Sequence, residues 1–113
     1  MGKTLGLIHT SLVFITVETM MKDIFAEVMP EVRLINLVDD SLLPDVMAAG
    51  KITPAVQERM IACVKMAEVA GADAVLSLCS SLGPAVSGAR EHVKIPVIKI
   101  DDAMTRSAAE RAD

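Results

Sequence analysis

Hydrophobic positions along the chain follow two alternating periods. Leu5 to Ile8 is a short apolar run that predicts a first strand. From Ser11 to Met29, Val13, Val17, Met20, Met21, Ile24 and Val28 form a stripe at helical spacing, with Ser11 as a cap and Pro30 beyond the end. Val32 to Val38 predicts a second strand with Ile35 and Leu37 inside it. Asp39-Asp40-Ser41 opens a stretch that reads as a polar loop, punctuated by Pro44 and Gly50. Thr53-Pro54 is a strong helix start, because Thr caps and Pro suits the first helical position. Val56, Met60, Ile61, Cys63, Val64 and Ala67 supply that helix with a buried face, and Gly71 closes it.

Ala74 to Leu78 predicts a third strand, broken only by Ser77, as expected of a strand covered on both sides. Cys79-Ser80-Ser81 stands at its carboxyl end. Pro84 to Glu91 predicts a short helix, Ile95 to Ile100 a fourth strand, and Asp101 or Asp102 the cap of a last helix running to Arg111. The order is therefore β-α-β-α-β-α-β-α. Connections of this length permit right-handed helical crossovers, which make the strands parallel. The expectation is a four-stranded parallel doubly wound α/β sheet, flavodoxin-like, with helices on both faces and residues 1–113 as a single lobe.

Composition changes the picture in one respect. The hydrophobic share is 52%, with two Phe, no Trp or Tyr, and eight Met. The mean hydropathy is +0.48. A short chain this apolar is expected to cover part of its surface with a partner, either another copy or a second lobe. The net charge of −4 and the lack of a basic stripe argue against nucleic acid. No apolar run reaches the ~18 residues of a membrane span. The N-terminus lacks the shape of a secretory signal, so a cytoplasmic location is expected. The cysteines lack metal-site spacing, and neither a metal nor another cofactor is expected.

Candidate chemistry gathers where the strands end. Ligands of open parallel sheets bind outside the carboxyl ends of the strands. Three polar clusters map there: His9-Thr10-Ser11, Asp39-Asp40-Ser41 and Cys79-Ser80-Ser81. Cys79 lies between a buried strand and the start of a helix, where free N–H groups and the helix dipole favour a thiolate. The competing role is a buried structural thiol. His9 is an acid, a base or a substrate contact, or else a solvated loop residue. Thr10 and Ser11 are donors for a carboxylate or phosphate, or simple caps. Asp39 and Asp40 are possible contacts for a metal or an amino group, or plain turn residues. Cys63 falls on the apolar stripe and reads as core packing. His92 reads as a surface residue. There is no glycine-rich dinucleotide fingerprint and no phosphate-binding GKS/T loop.

Several segments in this order resemble the aspartate/glutamate/hydantoin racemase superfamily. They are Gly6-Leu7-Ile8-His9-Thr10-Ser11, Asp39-Asp40-Ser41-Leu42-Leu43-Pro44-Asp45, Ile52-Thr53-Pro54-Ala55-Val56, the strand ending in Cys79-Ser80-Ser81, and Ile95-Pro96-Val97-Ile98-Lys99-Ile100-Asp101. The resemblance implies the N-terminal lobe of a two-lobed, cofactor-independent isomerase that needs no pyridoxal phosphate. It implies that Cys79 matches the first-lobe cysteine, which exchanges a proton at the substrate's acidic carbon opposite a second cysteine. Thr10, Ser11, Ser80 and Ser81 then match positions that hold the substrate carboxylate. Many amino-acid racemases of the family carry Asn and Thr where this chain has Ser80 and Ser81, which leans away from an α-amino-acid substrate and toward a less characterised or hydantoin-like branch. Residues 1–113 hold no counterpart of the second cysteine. The expectation is a missing second lobe, or two copies paired so that the Cys79 residues share a site. The alternatives are a lobe that binds a small anion without catalysis, and an inactive fragment.

Overall fold

The computed structural model describes residues 3–11, 26–27 and 31–99. The helices expected over 11–29 and after Asp101 lie outside the described residues, apart from a helical pair at 26–27. The described elements are β1 (Thr4–His9), β2 (Arg33–Val38), α1 (Leu42–Ala49), α2 (Pro54–Val69), β3 (Ala74–Ser77), α3 (Gly83–Ala89) and β4 (Val97–Lys99). Single 3-10 turns at Ser80–Leu82 and Arg90–His92 flank α3.

All pairings are parallel, and the strand order is β2-β1-β3-β4. β1 is thus central, and its last four residues are buried. Side chains alternate across a strand. Gly6 and Ile8 therefore face one side of the sheet together with Val75 and Val97, their neighbours in register. Leu5, Leu7 and His9 face the other side.

Helix α2 covers the first side because its apolar residues fall three and four apart. Val56, Met60, Val64 and Ala67 make one buried stripe. Thr53 caps its start, with Oγ1 accepting from the Val56 N–H at 3.2 Å, and Pro54 takes the first helical position. Gly6 permits the close approach of helix to sheet, since a Cβ there would stand 3.2 Å from the Ala67 Cβ. Helix α3 packs beside α2. The Gln57 Nε2 donates to the Ala85 carbonyl at 2.9 Å. Its amide fills the space above Gly88, where a Cβ would fall 2.6 Å from Gln57 Oε1.

One expectation is corrected. The stretch after Ser41 is not a loop but the helix α1, Leu42–Ala49. Pro44 sits in its first turn, where no backbone N–H is required by the helix. Gly50 is its left-handed cap, at φ 73°, with its N–H on the Val46 carbonyl at 2.8 Å. Leu42 is fully buried and Val46 packs against the core one turn later. Pro44 and Gly50 thus belong to the first turn and the cap of a short amphipathic helix. Elsewhere β1, β2, β3 and α2 fall within two residues of their expected limits, and β4 starts at Val97 where Ile95 was expected, Ile100 lying outside the described residues.

Candidate functional site at the carboxyl rim

The strand order fixes where a ligand can bind. From β1 the chain moves outward to β2, then crosses back over β1 to β3 and on to β4. The direction reverses between β1 and β3, which opens a crevice at their carboxyl ends. The two segments that flank it are His9-Thr10-Ser11 and Cys79-Ser80-Ser81. The Leu78 N–H donates to the Ile8 carbonyl at 3.2 Å and holds these two chain ends side by side.

Within the first segment, Thr10 is buried and Ser11 is half-buried. The Asp39 N–H donates to the His9 carbonyl at 3.0 Å, and the Leu43 N–H donates to the Thr10 carbonyl at 3.0 Å. The segment is thereby tied to the end of β2 and the first turn of α1. His9 is 3% exposed. Its Nε2 lies 2.7 Å from the Asn36 Oδ1 on β2. An amide oxygen accepts, so Nε2 is the donor in this pairing. Nδ1 is buried with no hydrogen-bond partner among the described residues. His9 is therefore held within the sheet's second face rather than solvated in a loop.

In the second segment, Cys79 is half-buried and Ser81 is exposed. The Leu82 N–H closes the turn on the Cys79 carbonyl at 3.4 Å. Cys63 differs in kind. It packs against the core on α2, and burial pushes its thiol up, with the nearby Asp39 carboxylate adding to the rise. A thiol so placed stays protonated and inert. His92 is exposed, as expected.

The third cluster has a structural partner that spacing did not reveal. Arg59, one turn into α2, donates from Nε and Nη2 to the two oxygens of Asp39, at 3.0 and 2.6 Å. Its Nη1 reaches Asp45 at 2.6 Å, and Nη2 also touches Ser41 Oγ. Asp39 further accepts from the Ser41 N–H and hydroxyl, at 3.2 and 2.8 Å. Asp39 is thus committed to bracing the β2–α1 turn, while Asp40 is exposed and outside this network. Among the described residues no three His, Cys, Asp or Glu groups gather as metal ligands. No described helix is long and apolar enough to cross a membrane.

The brace makes stability depend on pH. Hydrogen bonds from Arg59 hold the Asp39 carboxyl below its ordinary value of 3.8, against an opposing effect of burial. A group depressed in the folded state stabilises above its unfolded value, and that contribution fades as pH falls through the lower folded value. Asp39 and Arg59 are 27% and 32% exposed, so solvent screening keeps the pair near about 1 kcal/mol. Asp39→Asn is expected to lower the unfolding free energy by that amount at pH 7. The gap should narrow as pH falls below 3.8 and close once pH passes the lower folded value, where the native wild type also loses the charge. Urea titrations at pH 7 and pH 3 measure this; an equal gap at both would refute the role of the ion pair.

The comparison with known proteins accords with this arrangement. A family model described as Asp/Glu/Hydantoin racemase matches residues 9–113, which takes in β1's last residue and every element after it. A search of curated proteins gave no match.

Proposed function

The chain belongs to the Asp/Glu/hydantoin racemase family, and from that premise we propose that it is a cofactor-independent isomerase acting at the acidic carbon of a small carboxylate or hydantoin-like substrate, with Cys79 as a proton-transferring thiol. The observation that carries this is the reversal of strand order between β1 and β3, with Cys79 at the end of one strand and Thr10-Ser11 at the end of the other.

The chemistry follows from the groups available. The α-hydrogen of a carboxylate or hydantoin is weakly acidic, so its removal needs a base held against the carbon. The Cys79 thiolate takes that proton, and the electron pair left on carbon spreads into the adjacent carbonyl. Hydroxyl and backbone donors at Thr10, Ser11, Ser80 and Ser81 hold the carboxylate and receive the developing charge. Inversion then requires an acid on the opposite face of the carbon. A second lobe, or Cys79 of a second copy, supplies it.

The test is deuterium uptake. Reduced protein is incubated in heavy water with a panel of α-amino acids, 2-hydroxy acids and hydantoins, and the α-hydrogen signal is followed by NMR. Exchange that needs the thiol supports the proposal even if the stereochemistry does not invert, because one base is enough to exchange a proton. Binding without exchange across the panel would instead favour a lobe that holds an anion and performs no chemistry. Light scattering on the same sample states whether two copies associate.

A further inference from the structure

Helix α2 is apolar on two faces. Its stripe of Val56, Met60, Val64 and Ala67 is buried against the sheet. Ala55, Ala62, Met66 and Val69 are all exposed, and their spacing brings them round to one line on the outer face. Met66 is 58% exposed and Val69 87%. The face of a helix that looks away from its core is ordinarily polar.

Two exposed charges, Glu58 and Lys65, stand two helical turns apart along the same flank of that line. Partners on one helix lie three or four residues away. For Glu58 those positions are Pro54, Ala55, Ile61 and Ala62, and none is a cation. For Lys65 the one anion is Glu68, whose carboxylate accepts the Lys94 N–H at 2.6 Å. Among the described residues neither Glu58 nor Lys65 has an ion-pair partner. On the opposite flank Arg59 is held by Asp39 and Asp45.

We infer that the outer face of α2 is a docking surface for a second copy of this chain, the two helices lying antiparallel about a two-fold axis beside Ile61 and Ala62. A two-fold contact is self-complementary, each residue meeting its counterpart in reverse order. Antiparallel helices related in this way set like flanks together. Glu58 then faces the partner's Lys65, and Lys65 faces the partner's Glu58, so both charges are satisfied twice over. The small side chain of Ala62 at the crossing lets the helices approach closely. Helix α2 runs from the carboxyl rim, where Arg59 holds Asp39, to the far end of the sheet, where the Asp73 N–H donates to the Thr4 carbonyl. The pairing therefore points the two rims in opposite directions. It builds no shared Cys79 site and leaves a second lobe as the source of the opposing acid.

Charge swaps read this arrangement directly, by sedimentation velocity on the reduced full chain from micromolar to near-millimolar concentration. One helix face against another falls at the low end of interface sizes, below about 1,200 Å², so the wild type is expected to form a weak, concentration-dependent dimer. Glu58→Lys sets lysine against lysine at both contacts, and Lys65→Glu sets glutamate against glutamate. Each should weaken self-association by about tenfold or more. A mixture of the two single variants should associate again, because one helix now offers two lysines and the other two glutamates. The double swap, Glu58→Lys with Lys65→Glu, should dimerise like the wild type. Both positions are exposed, and circular dichroism checks that each variant is folded.

A wild type that stays monomeric at every concentration would overturn the inference and return this face to a partner of different sequence. So would a dimer that neither single swap weakens, or one that the mixture fails to restore, since the copies would then meet elsewhere or in another register. The isomerase proposal is tested apart from this: deuterium uptake needs one base only and is read equally on a monomer.

Discussion

In the Cys79→Ser variant, deuterium uptake at the substrate's acidic carbon is expected to fall by about 10²–10⁴-fold, the usual worth of a positioned acid or base. Serine preserves the shape of the side chain but not its acidity, since an alcohol ionises far less readily than a thiol. Cys79 is half-buried and outside the core cluster, so the variant should unfold at nearly the wild-type urea concentration. Cys63→Ser provides the contrast. That thiol is pushed up by burial on α2, so its replacement should leave exchange untouched and weaken packing instead. Equal exchange by wild type and Cys79→Ser would remove the thiol from the reaction.

The largest loss of stability is expected from Met60→Ala. Met60 is fully buried at the centre of the α2 stripe, between Val56 and Val64. Removing its thioether arm forfeits transfer energy and leaves a cavity, at a cost of about 2–5 kcal/mol. Met66 lies on the same helix but is 58% exposed. Met66→Ala should stay within about 0.5 kcal/mol of the wild type. Urea midpoints for the pair measure whether α2 anchors the sheet by this one face, and similar losses for both would refute it.

Much of the architecture was legible because its strands are covered by helices and therefore apolar, and because Thr53-Pro54 marks a helix start chemically. The position of the candidate site followed from the same logic: parallel strands with helical crossovers place Thr10, Ser11 and Cys79 on one rim before any distance is known. What spacing hid were the contacts between segments distant in sequence. Helix α1 was masked because Pro44 and Gly50 serve equally as loop breakers and as helix boundaries. Only the burial of Leu42 and Val46 decides between them. Arg59 joins Asp39 and Asp45 across 20 and 14 residues, a separation at which no local pattern exists. His9 was ambiguous for the same reason, since its partner Asn36 lies 27 residues away on β2.

The way Thr10 is held has a consequence for how this rim tolerates sequence drift. The backbone around it is fastened by two amide-to-carbonyl bonds, Asp39 to His9 and Leu43 to Thr10. Such bonds belong to the peptide unit, which every substitution except proline leaves in place. These two bonds therefore persist when side chains at 10, 11 and 43 are exchanged, whereas position 39 also carries the Arg59 brace. If the rim binds substrate as proposed, a change of substrate is then a change in what the frame carries and not in the frame.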